Sequence, residues 1–316
     1  MEIGYTLMGE QRGPRDLVDD SVRAEQAGFD FLVASDHFSP WLESQGHSPY
    51  TWTVLGAVAH ATQRIPFMTY VTCPILRYHP AVVAQKAATL QLLSDGRFSL
   101  GLGAGEQLNE HVVGKGWPPV DVRHEMLAEA VQVIRSLWGG GFTNLRGKHF
   151  QVESAKLYDL PEAAPPIGIA ASGAQSTALA AQQGDYLIAT EPKAEIVRAY
   201  RDAGGTGDVI GQFPVCFGEE HKSLQLLHEQ FRWMGLGWKV NSELPGTAAF
   251  DSASQFVRDE DLAQTSAWGT DVSRYQEKVQ AFADAGFTKV ALVQVGPDQQ
   301  EFCDWYASDL RQAIAA

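Results

Sequence analysis

Residues 66–102 read PFMTYVTCPILRYHPAVVAQKAATLQLLSDGRFSLGL, and this stretch decides the fold class. Its two ends, 66–71 and 98–102, are short and mostly apolar, which predicts strands. Residues 80–93 between them predict a helix that ends before Asp95-Gly96, a dipeptide typical of turns. A strand, a helix and a second strand in this order predict a βαβ unit, from which parallel sheets are built.

The same alternation continues along the chain in both directions. Further strands are predicted at 3–8, 29–34, 167–171, 186–190, 209–217 and 289–295. Further helices are predicted at 14–27, 55–61, 123–138, 175–183, 194–203, 220–234, 273–285 and 298–313. About eight βα units favour an α/β protein with a closed (β/α)8 TIM barrel over an open sheet. We therefore expect one TIM-barrel domain that spans residues 1–316.

Two segments interrupt this alternation. Residues 139–165 begin with three glycines and then alternate in polarity, which predicts a short hairpin inserted after the fourth helix. Residues 235–261 are rich in Gly, Pro and Trp and predict an irregular insertion around strands 7 and 8, with short helices. We expect both insertions to lie beside the barrel and to wall a substrate pocket.

The composition excludes several classes of protein. The formal charge of −14 argues against nucleic-acid binding. The three cysteines are far apart and lack the spacing of a zinc site, so we expect no metal. The N-terminus lacks the pattern of a signal peptide, and no apolar run approaches 18 residues, so we expect no membrane partner. These features predict a cytoplasmic protein that acts on a small molecule.

Polar residues follow several of the predicted strands. The active site of a β/α barrel lies at the C-terminal ends of its strands. The runs that follow strands 2 to 6 are Ser35-Asp36-His37-Phe38-Ser39-Pro40-Trp41, 69–74, 103–111, 171–176 and Glu191-Pro192-Lys193. They bring an Asp, a His, a Trp, a Glu and an Asn to one mouth. That set predicts acid–base chemistry beside an aromatic wall.

Each of these residues also has a structural interpretation. Asp36-His37 is equally typical of a loop pair that caps the next element, and Trp41 is typical of core packing. Glu106 and Glu110 are four residues apart, and spacing alone favours two solvated carboxylates on one helix. The glycines of 101–105 lack the last glycine of the dinucleotide fingerprint, so a Rossmann site is not predicted. They can instead let a cofactor lie close to the backbone.

Four stretches together resemble a known superfamily. They are Ser35-Asp36-His37-Phe38 with Pro40-Trp41, Arg77-Tyr78-His79-Pro80-Ala81-Val82-Val83-Ala84-Gln85, 101–111, and Ala170-Ala171-Ser172-Gly173. In order and over nearly the whole chain, they resemble the luciferase-like flavin and deazaflavin oxidoreductases. The resemblance is greatest to the branch of glucose-6-phosphate dehydrogenases that depend on coenzyme F-420, abbreviated F420.

The resemblance implies a function and leaves alternatives open. It implies an oxidoreductase that transfers a hydride between F420 and a small alcohol or carbonyl compound, and it implies a homodimer. A related branch implies FMN as the cofactor, so an FMN-dependent monooxygenase or flavin oxidoreductase is the alternative. A barrel that only carries or senses a flavin is a third hypothesis. The clustered Asp36, His37 and Glu106 argue against it, because binding alone needs no acid–base groups.

The resemblance also implies roles for individual residues. The implied catalytic residues are His37 near the reacting carbon, Trp41 beside the substrate and Glu106 in proton transfer. The implied contacts to the cofactor ring are Asp36, Tyr70, Val71, Cys73, Ala104, Gly105 and Asn109, with a non-proline cis peptide at Tyr70-Val71. Ala171, Ser172 and Gly173 are implied to hold the cofactor phosphate. Lys193 is the implied substrate contact.

The chain departs from the sugar-phosphate enzymes at their phosphate clamp. Those enzymes use three basic residues, and here only Lys193 matches, while Ser252 and Thr265 stand near the other two positions. Each missing charge-assisted hydrogen bond would weaken phosphate binding by about 1.5–3 kcal/mol. We therefore expect a substrate other than a sugar phosphate, neutral or weakly polar, as the tryptophans of 233–238 also suggest. Tyr70 replaces a smaller residue of those enzymes.

Overall fold

Eleven strands form the sheets in a computed structural model that describes residues 1–314. The strands are β1 (Glu2–Leu7), β2 (Phe31–Ala34), β3 (Phe67–Thr69), β4 (Phe98–Leu102), β5 (Thr143–Arg146), β6 (Gln151–Ala155), β7 (Ile167–Ala170), β8 (Tyr186–Ile188), β9 (Val209–Cys216), β10 (Ala267–Trp268) and β11 (Lys289–Gln294). Residues 315 and 316 of the predicted domain lie outside the described residues, and the single-domain organisation stays a prediction.

Eight of these strands close into a parallel barrel. They pair in the order β1, β2, β3, β4, β7, β8, β9 and β11, and β11 pairs with β1. The pairing of β8 with β9, where Leu187 faces Val209, completes the ring. The predicted (β/α)8 barrel is therefore confirmed. β10 lies outside this ring and pairs in parallel with the C-terminal end of β9. β5 and β6 form the predicted hairpin.

Helices surround the barrel and fill the second insertion. They are α1 (Pro14–Ala27), α2 (Thr51–Ala61), α3 (Pro80–Leu93), α4 (Gln107–Glu110), α5 (Val120–Trp138), α6 (Ala174–Gln183), α7 (Ala194–Asp202), α8 (Glu220–Phe231), α9 (Trp238–Asn241), α10 (Thr247–Ser254), α11 (Asp259–Ala263), α12 (Val272–Asp284), α13 (Gln299–Trp305) and α14 (Arg311–Ile314). In residues 1–314, none of these helices has the length and apolar character needed to cross a membrane.

Helix boundaries follow the local sequence, but α2 and α5 begin at 51 and 120 rather than at the predicted 55 and 123, and two helices end differently from prediction. α1 begins with Pro14 and ends before Gly28, whose φ of 84° places it in the left-handed region that favours glycine. The predicted helix 220–234 ends at Phe231 and continues as a 3-10 turn, Arg232–Leu236, before Gly237 at φ 77°. The predicted last helix is split, because a π turn at Tyr306–Leu310 separates α13 from α14.

The inside of the barrel is packed with side chains, so it is not a pore. The buried cluster there consists of Phe31, Val33, Met68, Tyr70, Tyr186, Ile188, Ile210 and Ala291. Glycines on the neighbouring strands make room for the largest rings. A Cβ on Gly4 would lie 2.5 Å from the ring of Phe31, and one on Gly168 would collide with the ring of Tyr186. A ligand can therefore bind only at a mouth of the barrel.

The second insertion lies between β9 and β11 and packs over the loops after β2 and β4. A buried cluster joins Phe250 of this insertion to Trp41, Leu42 and Leu108. Trp233, Leu236 and Leu244 pack against the same cluster. The insertion therefore walls the C-terminal mouth, as predicted.

A substitution at Gly101 in β4 would test how tightly the barrel is packed. A Cβ at this position would collide with the backbone carbonyl oxygen of Thr69, which cannot rotate away. We expect Gly101→Ala to lower the free energy of unfolding by about 1–3 kcal/mol in denaturant titrations. Gly56→Ala in α2 is the control, because a Cβ there meets open space. It should raise stability by about 0.5–1 kcal/mol, and equal stability of the two variants would contradict this packing.

Candidate active site

Four polar side chains are buried at the C-terminal mouth, on the loops after β2 and β4. The exposed fraction is 2% for Asp36, 9% for Glu106 and 1% for both Asn109 and Glu110. The interpretation of Glu106 and Glu110 as solvated carboxylates is therefore wrong. Both are turned into the protein because the inner face of the four-residue helix α4 is covered, with Leu108 packed in one cluster with Trp41 and Phe250.

The imidazole of His37 lies between two carboxylates. Its Nδ1 bonds to Oε1 of Glu10, and its Nε2 lies 3.2 Å from Oε1 of Glu106. Both ring nitrogens therefore face acceptors, an arrangement that suits the doubly protonated ring. Burial lowers the pKa of His37, but the two carboxylates outweigh it and raise this pKa to about 10. The site thus holds a proton on His37 at neutral pH.

Glu106 is stabilised as a carboxylate by its partners. Burial alone raises its pKa, but the hydrogen bond and charge of His37, with a hydrogen bond from Asn109, lower it. Nδ2 of Asn109 donates to Oε1 of Glu106 at 2.8 Å, and Oδ1 accepts from the backbone N–H of Phe38 and Ser39 at 2.6 and 3.0 Å. Asn109 therefore ties the loop that carries His37 to the loop that carries Glu106.

Asp36 anchors the loop after β2 from behind. Its Oδ2 accepts hydrogen bonds from Nε1 of Trp52 at 2.7 Å and Oγ1 of Thr72 at 2.8 Å. Its Oδ1 accepts from the hydroxyl of Tyr78 at 3.1 Å and Nη2 of Arg77 at 3.2 Å. These four donors use all four lone-pair sites of the carboxylate. Asp36 is thereby fixed within the protein, and its implied contact to the cofactor ring stays a prediction.

Arg77 joins two buried carboxylates. Besides Asp36, it faces Glu110, with Nε 3.5 Å from Oε1 of Glu110. The backbone N–H of Arg77 also donates to Oε2 of Glu110 at 2.9 Å. Burial nevertheless raises the pKa of Glu110 to about 7, although Arg77 opposes the rise. Arg77 therefore links the loops after β2, β3 and β4.

Trp41 forms an aromatic wall beside His37. The two rings meet edge to face with centroids 5.2 Å apart. On its other side, Trp41 stacks on Trp233 at 4.1 Å, with the ring planes within 7°, and meets the edge of Phe250 at 5.1 Å. Trp41 is thus packed against other aromatic rings and also adjacent to the acid–base group. Core packing and a place beside the reacting groups are therefore compatible for this residue.

The loops after β3 and β4 are in close contact. The peptide bond Tyr70-Val71 is cis, as the resemblance implies. A Cβ on Gly103 would lie 2.6 Å from Cγ2 of Val71, and one on Gly105 would collide with Sγ of Cys73. Small residues in 101–105 therefore let the two backbones approach each other, and Ala104 between these glycines is half-buried.

The remaining predicted residues lie on the loops after β7 and β8. Ala171 is buried and its N–H donates to the carbonyl of Ile188, whereas Ser172 and Gly173 are exposed at the start of α6. Lys193 is exposed and forms an ion pair with Glu191 at 2.5 Å. None of these four residues joins the hydrogen-bond network around His37 within residues 1–314.

Several residues of the site were not predicted. Glu10 was not predicted, because it follows the first strand, whereas the predicted residues follow strands 2 to 6. Its position three residues after β1 was the available signal. Arg77 and Tyr78 were part of a matching stretch but had no assigned role. Glu110 was predicted to be solvated but is buried, because the spacing of residues on a helix does not reveal which face of the helix is buried.

Comparisons with known proteins agree with this geometry. A family model described as luciferase-like monooxygenase matches residues 1–289. The chain is 32% identical over 333 residues to an F420-dependent glucose-6-phosphate dehydrogenase of Beutenbergia cavernae, covering 100% of this chain and 98% of that protein. It is 37% identical over 290 residues to an F420-dependent hydroxymycolic acid dehydrogenase of Mycobacterium tuberculosis, covering 90% and 80%.

A solved structure is also similar to this chain. It is an F420-dependent secondary alcohol dehydrogenase in complex with an F420-acetone adduct, 28% identical to this chain. The two superpose with a TM-score of 0.92 over 99% of this chain and 98% of that chain. These matches confirm the resemblance that the four sequence stretches indicated.

Glu110 predicts a specific pH dependence of stability. Its pKa is raised from 4.5 to about 7 in the folded protein, so folding favours its protonated form. This contribution is present below pH 4.5 and is lost as the pH rises towards 7. We expect the unfolding free energy of the wild type to fall by about 3 kcal/mol over this range relative to Glu110→Gln.

Denaturant titrations at several pH values measure this difference. Glu195→Gln is the control, since Glu195 is an exposed carboxylate on α7. It should leave the pH dependence of the wild type unchanged. Parallel curves for the wild type and Glu110→Gln would contradict the raised pKa of Glu110.

Proposed function

Because this chain belongs to the luciferase-like monooxygenase family, we propose that it is an F420-dependent oxidoreductase. It transfers a hydride between F420 and a small organic alcohol or carbonyl compound. The relatives described above are named as F420-dependent dehydrogenases, which supports this cofactor and this type of reaction. FMN-dependent oxygen chemistry is the alternative that the experiments below must separate.

The observation that carries the proposal is the chain Glu10–His37–Glu106. A reaction between an alcohol and a carbonyl moves one hydride and one proton, so the protein must supply a proton partner next to the substrate oxygen. His37 with two carboxylate partners is such a group, and it lies against the wall made by Trp41. A protein that only carries a flavin has no need for this buried arrangement.

The residues present fit a cofactor with a flat ring and a phosphate. The close backbones at Gly103 and Gly105 leave little side-chain bulk beside Val71 and Cys73, where the ring is expected. A Cβ on Gly173 would meet open space, and the first N–H groups of a ten-residue helix follow it. Such N–H groups lack partners within the helix and favour an anion.

We assign the cofactor contacts accordingly. The ring would be held by Tyr70, Val71, Cys73, Ala104, Gly105 and Asn109, with Asp36 behind them, and the phosphate by Ala171, Ser172 and Gly173. When bound, F420 supplies a ring carbon that accepts or releases a hydride.

The chain's own residues handle the proton. In the reducing direction, Nε2 of His37 donates its proton to the substrate oxygen and leaves a neutral imidazole, which Glu10 still holds through Nδ1. A proton taken up from water then restores the charged imidazole, which the carboxylates of Glu10 and Glu106 favour. In the oxidising direction, His37 must first pass this proton to Glu106, 3.2 Å away, before Nε2 can accept the hydroxyl proton. Glu106, once protonated, would be the residue that supplies a proton to the bound cofactor. Trp41 keeps water from this region with its indole ring.

The substrate we propose carries no phosphate. Lys193 forms an ion pair with Glu191, and Ser252 and Thr265, which stand near the two other clamp positions, are exposed and uncharged. The wall itself is aromatic, with Trp41 stacked on Trp233. This environment favours a neutral, partly apolar alcohol or carbonyl compound, because an unpaired phosphate would lose hydration without gaining charged partners.

The oligomeric state and the location in the cell stay predictions. The homodimer rests on the resemblance alone.

Cofactor binding separates the two branches of the family. We expect the purified protein, freed of bound cofactor, to bind F420 at least about tenfold more tightly than FMN, a difference of about 1.4 kcal/mol. Fluorescence quenching and calorimetry measure both affinities. With F420 bound, secondary alcohols should reduce the cofactor faster than glucose 6-phosphate does. Preference for FMN with oxygen consumption would instead support the monooxygenase.

Two substitutions test the acid–base roles. We expect His37→Ala and Glu106→Gln each to lower kcat by about 10²-fold or more, the usual effect of removing a general acid or base. Stopped-flow spectroscopy follows F420 reduction, and quenching checks that the cofactor still binds. His111→Ala is the control, because His111 is exposed on the same loop. Near-wild-type turnover in both active-site variants would refute the assignment.

A further inference from the structure

Lys86 is a half-buried residue, with a fully enclosed Nζ atom, that the proposed reaction does not use. It lies on α3, and its Nζ atom is buried without a hydrogen-bond partner among the described residues. Instead of a carboxylate, three aromatic rings surround it. Nζ lies 3.5 Å from the ring centroid of Tyr78, 5.0 Å from that of Tyr50 and 5.1 Å from that of Trp52. We call these three rings the Lys86 cage.

Two members of the Lys86 cage donate hydrogen bonds to Asp36. Nε1 of Trp52 donates to one carboxylate oxygen, and the hydroxyl of Tyr78 donates to the other. A cation over the face of an aromatic ring is attracted to the ring and draws electron density from it. Lys86 therefore stabilises the positions of both rings and strengthens both of them as hydrogen-bond donors to Asp36.

Asp36 is adjacent to His37 in the chain, so its anchoring affects the acid–base group. Arg77 donates from Nη2 to the backbone carbonyl of Asp36 as well as to its carboxylate. The position of the His37 backbone is thus set by the donors around Asp36. On its other side, the imidazole must meet Glu106 at hydrogen-bond distance. A small displacement of Asp36 would lengthen that contact.

We propose that Lys86 is a positioning residue for the proposed active site, acting through the Lys86 cage and Asp36 on His37. This inference rests on the proposed function, because its effect is exerted on the acid–base group of that reaction. Lys86 touches neither the reacting atoms nor the expected cofactor. Its positive charge, rather than its bulk, is the property that matters.

The charges around Asp36 explain why a cation is placed here. The carboxylates of Asp36 and Glu110 are both buried and both face Arg77, and Lys86 adds a second positive charge near Asp36. Burial lowers the pKa of Lys86 from 10.5 to about 8, and Arg77 adds to this effect, while Asp36 opposes it. The groups that face Lys86 are therefore Asp36, Arg77 and the phenols of Tyr50 and Tyr78.

Substitutions separate charge from packing. Lys86→Met keeps most of the side-chain volume without the charge, and Lys86→Arg keeps a cation that stacks on aromatic rings. We expect Lys86→Met to lower kcat with F420 and a secondary alcohol by about three- to thirtyfold, with a smaller change in KM. Lys86→Arg should restore most of the loss.

The matched control is another lysine beside aromatic rings. Lys156 lies over Phe142 at 5.8 Å and Tyr158 at 5.1 Å, but these rings are exposed on the hairpin. Lys156→Met should therefore leave kcat unchanged. Denaturant titrations of all variants confirm that each is folded under assay conditions.

The pH profile distinguishes positioning from a general packing defect. Lys86 is protonated below about pH 8 and loses its charge above it. We expect the activity of the wild type to fall as the pH rises through about 8 towards the level of Lys86→Met, which should lack this step. Glu110 and His37 titrate in every variant, so only the difference between the profiles reports on Lys86.

A measurement without cofactor tests the Lys86 cage independently of the proposed function. In the cofactor-free protein with ¹³C-labelled lysine, the Cε signal of Lys86, assigned with Lys86→Met, should be shifted by the ring currents of the cage. It should titrate below the range of exposed lysines. A signal at the exposed position that titrates with the other lysines would overturn the inference, whatever the cofactor.

The activities of the wild type and Lys86→Met distinguish three outcomes. If the wild type binds F420 but Lys86→Met matches it in kcat and pH profile, Lys86 has no positioning role. If Lys86→Met loses activity but keeps the step near pH 8, the loss is a packing defect and the inference is also wrong. If the wild type does not bind F420 at all, the proposed function fails, and the cofactor-free titration alone decides whether the cage holds a cation.

Discussion

The carboxylate of Asp36 is the interaction on which the arrangement of the site depends. It accepts hydrogen bonds from one residue of α2 and three residues of the loop after β3, namely Trp52, Thr72, Arg77 and Tyr78. A buried carboxylate is costly unless its lone pairs are filled, so these donors and Asp36 hold one another in place. The loop that follows Asp36 then carries His37 to its partners.

Charge, more than shape, organises the mouth of this barrel. Glu10, Asp36, Glu106 and Glu110 bring four carboxylates together, and His37, Arg77 and Lys86 bring the cations. The two carboxylates beside His37 outweigh its burial and raise its pKa, whereas burial is the main reason that the pKa of Lys86 falls. A protonated imidazole at neutral pH is the chemical result, and it suits a reaction that exchanges a proton beside a hydride.

The barrel and the insertion make separate contributions to the proposed function. The loops after β1 to β4 belong to the barrel itself and hold the acid–base group. The insertion between β9 and β11 supplies Phe250, and the 3-10 turn that leads into it supplies Trp233; both rings pack on Trp41. Since the insertion is not constrained by barrel closure, it can change with the substrate while the proton machinery stays the same. This division fits relatives that share F420 but are named for different substrates.

The sequence by itself determined the alternation of strands and helices, the barrel, both insertions and the mouth at which polar residues gather. It could do so because strand and helix periods and turn residues are local properties. Only the tertiary structure decided that Glu10 bonds to His37, that Glu106 and Glu110 are buried, and that Lys86 sits among aromatic rings. Burial and charge pairing join residues far apart in the chain, so no local pattern encodes them.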